Sequence, residues 1–294
     1  MFKFDSEIKK QVSLIIVFTV FIVMSYFFNA AIYTYKQSKQ QTALVSQEFI
    51  STTEKTNTEI LKNQPTEITP EGSIKVPIIV YHSVRPYYEG QTLEEKEFSI
   101  TPDSFEKQLQ YLKDNGYTTI ALQDIALSLT QNKKLPLKPI SINFDDGWEN
   151  QYVYAFPLLK KYGFTATFFV YTNTINHRNY LTLEQLLELD RAGMEIGDHT
   201  KSHPYLFKIT DPIELREEIV VSKENLEKIL GKKVNVFSYP FGNSSPESIE
   251  IIKEAGFTLA RTGYWGKYHT LNDIYTIKSM QVSEDFEKFL GLLK

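Results

Sequence analysis

Downstream of residue 73, short apolar runs alternate with longer stretches of mixed polarity. The runs VPIIVYH (76–82), PISINF (139–144), ATFFVY (166–171), MEIGD (194–198), NVFSY (235–239) and FTLA (257–260) are too short for helices and are bounded by turn residues, so they read as buried strands. YTTI (117–120) and IYTI (274–277) are expected to be short strands as well. The stretches 101–116, 122–130, 149–163, 181–193, 211–230, 245–256 and 284–293 carry helical spacing. In the first of these Thr101 caps, Pro102 takes the first turn, Phe105, Leu109 and Leu112 form the apolar stripe, and Gly116 stops the helix. Repeated strand–helix alternation predicts an α/β domain with a parallel sheet covered by helices, and the number of units favours a barrel over an open sheet.

The N-terminal segment has a different pattern. Residues 12–35 are 24 positions without a charge, more than the roughly 20 residues that cross a bilayer, with Tyr26, Tyr33 and Tyr35 near the far end. This predicts an uncleaved transmembrane anchor; a cleaved signal is the less favoured alternative, because the apolar run is long and Asn29-Ala30-Ala31 is a poor cleavage site. Lysines flank the run on both sides, so charge decides little. The short head, 1–11, is expected in the cytoplasm and the rest outside the cell membrane. Residues 36–73, rich in Gln, Ser, Thr, Glu and Lys, read as a stalk, and the globular domain is expected to span 74–294.

Composition narrows the chemistry. A formal net charge of −4 and the lack of a basic block argue against a nucleic-acid partner. With no cysteine, disulfides, thiolate metal sites and a cysteine nucleophile are excluded. In a barrel of alternating strands and helices, chemistry collects on the loops after the strands. His82, Asp145 and Asp146, Asp198 and His199 with His203 close behind, and Pro240-Phe241-Gly242 all end or follow predicted strands. Two adjacent carboxylates repel unless a positive charge neighbours them. His199 and His203, four apart in DHTKSH, together with one aspartate, have the composition of a divalent-metal site with positions left open. One aspartate would then bind the cation, and the other, kept ionised beside it, could serve as a general base.

In order and spacing, NFDDG, HTKSH and YPFG resemble the polysaccharide deacetylases of the NodB-homology type, carbohydrate esterase family 4, over roughly residues 75–290. The resemblance implies a distorted (β/α)7-type barrel, one divalent metal ion, zinc above all with cobalt or nickel as alternatives, and removal of N-acetyl groups from GlcNAc-containing polysaccharide. It implies Asp145 as catalytic base and Asp146, His199 and His203 as metal ligands. The early VPIIVYHSV is similar to the permuted subgroup that includes poly-β-1,6-N-acetylglucosamine deacetylases, where an early YH carries the general acid; His82 holds that place. By the same resemblance the backbone N–H of Phe241 is the expected oxyanion donor, and Tyr239, Pro240 and Trp265 are expected to shape the substrate pocket. There are two departures: an arginine two residues before the motif proline often orients the base, and Ser238 stands there; and the fourth motif, with Trp265 in GYWG, is loose.

Two rival readings follow from these residues. A zinc peptidase would need HExxH, which is absent. A membrane-anchored glycan-binding protein with a degenerate site would account for the missing arginine, but not for the four charged and imidazole residues of the expected centre.

Overall fold

The structure is a computed structural model that describes Gln37 and residues 72–294. The expected head, the anchor at 12–35 and nearly all of the stalk lie outside the described residues. Among the described residues no helix is long and apolar enough to cross a membrane. The chain divides into units 1–67 and 68–294, and the second is described here.

Seven parallel strands form the main sheet: β1 (Ile78–Tyr81), β2 (Pro139–Phe144), β3 (Thr167–Val170), β4 (Glu195–Asp198), β5 (Val236–Ser238), β6 (Leu259–Arg261) and β7 (Met280–Gln281). Their order across the sheet is β6-β5-β4-β3-β2-β1-β7, so each of β1 to β6 lies beside its sequence neighbour and β7 returns to the far side of β1. A short strand, Thr118–Thr119, pairs with the start of β2. The connections are helical: α1 (Pro102–Asp114), α2 (Leu122–Gln131), α3 (Phe156–Tyr162), α4 (Leu183–Arg191), α5 (Ser222–Leu230) and α6 (Pro246–Glu254), with α7 (Phe286–Leu293) ending the chain. The sequence signals act where expected. The Thr101 hydroxyl caps α1, and Gly163 ends α3 in the left-handed region at φ 70°.

Strand pleating sends alternate side chains to two cores. Ile78, Phe169, Val236 and Leu259 point to an inner cluster, with Leu122, Ile125 and Ala126 of α2 packed against them. Their strand neighbours Ile79, Phe168, Phe237 and Ala260 belong to the outer cluster under the surrounding helices. Helix α2 therefore closes the sheet's concave side at the strands' N-terminal ends. The C-terminal ends remain as the rim of a cavity.

The expected barrel is corrected to a half-barrel. Between β6 and β7 the only bridge among the described residues is Arg261 to Ile277, and no continuous ladder joins the two edges. The chain between them goes instead into a turn at Leu271–Asp273 and a short strand, Tyr268–His269, paired with Ile74–Lys75. For the same reason IYTI is not the last strand. Ile274 and Ile277 are buried three residues apart rather than alternately, and the closing strand is Met280–Gln281.

Candidate active site

The rim surrounds a cavity of about 940 Å³, lined by His82, Asp145, Asp146, His199, His203, Phe241 and Arg261 among others. One wall is the excursion between the short paired strands Ser83–Val84 and Ser99–Ile100, which contributes Arg85, Tyr88, Glu94, Glu95, Glu97 and Phe98.

Asp146, His199 and His203 present one ligand atom each within 4.8 Å of one another. Asp146 Oδ1 lies 3.6 Å from His199 Nε2 and 3.3 Å from His203 Nε2. The Nδ1 of His199 is 2.7 Å from the Ser238 carbonyl, which can only accept, so the proton sits on Nδ1 and Nε2 keeps its lone pair for the cluster. This donor set fits a divalent first-row cation. The three residues meet through unusual backbone: Asp146 (φ 74°), Thr200 (φ 72°) and His203 (φ 63°) are all left-handed. Asp198 secures the loop between the histidines. It is buried, and its Oδ1 accepts from the Thr200 amide at 2.7 Å and the Ser222 hydroxyl at 2.9 Å. Burial pushes its carboxyl up to about 7.

Asp145 faces a different partner. Arg261, at the end of β6, places Nη2 2.5 Å from both Asp145 oxygens, and the pair is buried. The same nitrogen reaches the Ser238 hydroxyl at 2.5 Å, and Nη1 reaches Ser279 Oγ at 3.0 Å. Ser238, at the position where the sequence motif has its arginine, thus hydrogen-bonds a guanidinium supplied by the next strand. Burial raises the Asp145 carboxyl, but Arg261, with His199 and His82, outweighs it and holds the group below its ordinary 3.8. Asp146 is likewise held well below its usual range, its burial overcome by the two histidines.

His82 ends β1 across the cavity, its ring edge-on to Phe98 at 5.0 Å. Its Nδ1 is buried without a hydrogen-bond partner among the described residues, and burial holds the imidazole below its usual range despite Asp146 and Asp145. Beneath it the buried amide of Gln151 donates to the His82 carbonyl at 2.7 Å and the Asp145 carbonyl at 2.5 Å, tying the ends of β1 and β2 together.

Phe241 lies in the turn after β5 with φ 59°, a left-handed conformation that costs a non-glycine residue about 1–2 kcal/mol. Its ring stacks on Tyr205 with centroids 3.7 Å apart and lies 4.7 Å from the ring of His203. The turn is clamped from behind: a Cβ on Gly242 would lie 2.6 Å from the backbone nitrogen of Gly263, whose amide bonds the Gly242 carbonyl at 3.0 Å. Tyr239 and Pro240 are buried under this turn, the Tyr239 hydroxyl donating to the Tyr275 carbonyl at 3.1 Å. Trp265 is 68% exposed. None of these three lines the cavity; Gly263 is the residue that its loop turns inward.

Two contributors escaped the sequence reading. Arg261 directly follows the predicted strand FTLA, so the rule that gathered the other rim residues would have found it. Trp148 donates its indole N–H to Asp146 Oδ2 at 3.0 Å. No local pattern signals that contact.

Comparisons with known proteins agree with this geometry. The family model described as Polysaccharide deacetylase matches residues 132–260, a span holding Asp145, Asp146, His199 and His203. YxkH of Bacillus subtilis (strain 168), described provisionally as a polysaccharide deacetylase, is 32% identical over 216 residues, 74% of this chain and 74% of that one. The poly-β-1,6-N-acetyl-D-glucosamine N-deacetylase of Staphylococcus aureus is 27% identical over 197 residues, 60% of this chain and 68% of its own. Among solved structures, the Streptococcus pyogenes deacetylase PplD in complex with acetate superposes with a TM-score of 0.71 at 27% identity, covering 75% of this chain and 99% of that one.

Proposed function

Because the chain belongs to the polysaccharide deacetylase family, we propose that it hydrolyses the N-acetyl groups of a GlcNAc-containing polysaccharide at the cell envelope, in a metal-dependent reaction that releases acetate and leaves free amines. The observation that carries this reading is the meeting of Asp146, His199 and His203 beside an arginine-paired Asp145 in one cavity. Asp146, His199 and His203 would hold the divalent cation, zinc first and cobalt or nickel as alternatives. Bound there, it supplies a Lewis acid that acidifies water and polarises a carbonyl.

The chain's own groups divide the remaining work. Asp145, ionised well into acid, accepts the proton of the attacking water. Arg261 and Ser238 keep its carboxylate aimed, as the missing motif arginine would. The Phe241 amide donates to the oxyanion of the tetrahedral intermediate. His82, as imidazolium, protonates the departing nitrogen; burial makes that imidazolium a stronger acid. The C–N bond breaks, and acetate and the amine leave. Tyr239 and Pro240 support the turn that carries Phe241. The rival reading, a glycan-binding module with a degenerate site, drew its support from the absent arginine, and Arg261 removes that support.

The test is acetate release by the full-length protein from β-1,6- and β-1,4-linked GlcNAc oligomers, with chelator and with added zinc or cobalt. Acetate that chelator abolishes and metal restores is the expected result, and the rates on the two series show which linkage is preferred. A protein that binds one metal ion yet releases no acetate from either series would overturn the reading. The uncharged run 12–35 supports a single-pass anchor with the catalytic domain outside the cell membrane. Protection of residues 72–294 from protease in intact cells would count against it.

A further inference from the structure

Asp146 has two oxygens, and the ligand cluster uses one. Oδ1 faces the two imidazoles, while Oδ2 accepts the indole N–H of Trp148 at 3.0 Å. Trp148 is itself fixed. Its ring stacks on Tyr180 with centroids 4.4 Å and planes 20° apart. Their backbones form an antiparallel bridge, flanked by hydrogen bonds from Glu149 N–H to the Asn179 carbonyl at 2.8 Å and from Leu181 N–H to the Gly147 carbonyl at 2.9 Å. The Tyr171 hydroxyl donates to that of Tyr180 at 2.6 Å, and the Tyr171 ring lies 5.2 Å from the ring of His203. Three aromatic side chains therefore run from the outer oxygen of one ligand to the ring of another.

We propose that Trp148, Tyr180 and Tyr171 form a brace that sets how tightly the site holds its divalent cation, by confining Asp146 to ligation through one oxygen and by fixing His203. The inference rests on the reading of Asp146, His199 and His203 as ligands. A carboxylate free at both oxygens can chelate a cation and occupy a position that water and substrate need. An N–H directed at Oδ2 competes with that second bond and orients the first. Outer partners of ligating carboxylates and imidazoles are worth about 10–100-fold in metal affinity. The left-handed backbone of Asp146 and His203 gives the brace its purpose: both ligands sit where the main chain alone would not choose to stay.

The test titrates metal-free full-length protein with Zn²⁺ against a chromophoric chelator, and with Co²⁺ while the visible absorption bands are recorded. Trp148→Phe keeps an aromatic ring and removes the donor. Its Zn²⁺ affinity is expected to fall about 10–100-fold, and its Co²⁺ bands to weaken as a second carboxylate oxygen enters the coordination sphere. Tyr180→Phe keeps the stack and removes the acceptor of the Tyr171 hydroxyl; a smaller loss of the same sign is expected. A folded Trp148→Phe with wild-type affinity and an unchanged Co²⁺ spectrum overturns the brace. If that variant does not fold, Tyr180→Phe with wild-type affinity overturns it instead. Failure of the wild-type chain to take up either ion is a separate outcome, which overturns the ligand assignment and the brace with it.

Discussion

Asp145 is the residue whose chemistry depends most on a single neighbour. A buried carboxylate beside another carboxylate would ordinarily hold a proton, and Arg261 reverses that. A base works only when ionised, and Asp145 is held below 3.8, so as the pH falls its own protonation should not limit wild-type activity before acid releases the cation from its imidazole ligands. In Arg261→Met the Asp145 pKa rises, and the acid limb of the pH–rate profile should move upward; an unmoved limb would show that Arg261 does not tune the base. The same change leaves a buried charge unpaired and should cost about 3–5 kcal/mol in a denaturation experiment. Asp145→Asn should lower turnover by about 10²–10⁴-fold while zinc uptake, measured by metal analysis, stays intact. At this scale the sequence was informative where chemistry is concentrated in neighbours: DDG and HxxxH brought four of the cavity's residues to notice. Partnerships between distant residues, Arg261 with Asp145 and Gln151 with the His82 carbonyl, leave no local trace.

Elements show where periodicity suffices and where it does not. The segment 149–163 was legible as a helix, but its first turn, Gln151–Ala155, is widened to i→i+5 bonding, with the Phe156 N–H bonded to the Gln151 carbonyl. Pro157 lacks the N–H that would continue the regular ladder, and the wide turn carries Gln151 under the site. A second wide turn, Glu217–Val221, interrupts the long helix expected at 211–230. Ala121 holds the N-cap position of helix α2 and offers no side-chain cap; Glu195 at the start of β4 accepts from the Leu122 and Gln123 amides at 2.7 and 3.1 Å instead. Glu195→Ala should therefore lower stability by about 1–2 kcal/mol, seen as a lower thermal midpoint, with acetate release per folded molecule unchanged because Glu195 lies at the opposite end of β4 from the cavity. Gly242→Ala acts at the other end. The new Cβ meets the Gly263 backbone, so the turn must shift and carry the Phe241 amide with it. Loss of kcat with little change in KM is the expected signature, and a proportionate rise in KM alone would count against the oxyanion role.

For the whole molecule, strand order accounts for the site. Because β1 to β6 lie side by side in sequence order, residues from five of these strands and their following loops face one another across the concave rim, while α2 blocks the other end. Alternation of elements was enough to read the parallel sheet and the end that carries chemistry. It could not show that the sheet stays open between β6 and β7, since that depends on a single bridge at Ile277. The cation's ligands come from two of these strands, so an unfolded chain has no preformed site. Zinc at a hundred times its dissociation constant should then stabilise the protein by about 2.7 kcal/mol, a shift that Asp146→Asn should abolish in thermal melts.

The Asp145–Arg261 pair joins positions 116 residues apart in the chain. A polypeptide cut short before β6 still contains the base and the cation's three ligands, yet it lacks the guanidinium. Metal uptake would thus report the middle of the assembly and acetate release its completion. During refolding the first should return before the second, and the interval between them measures how long the last strands take to dock.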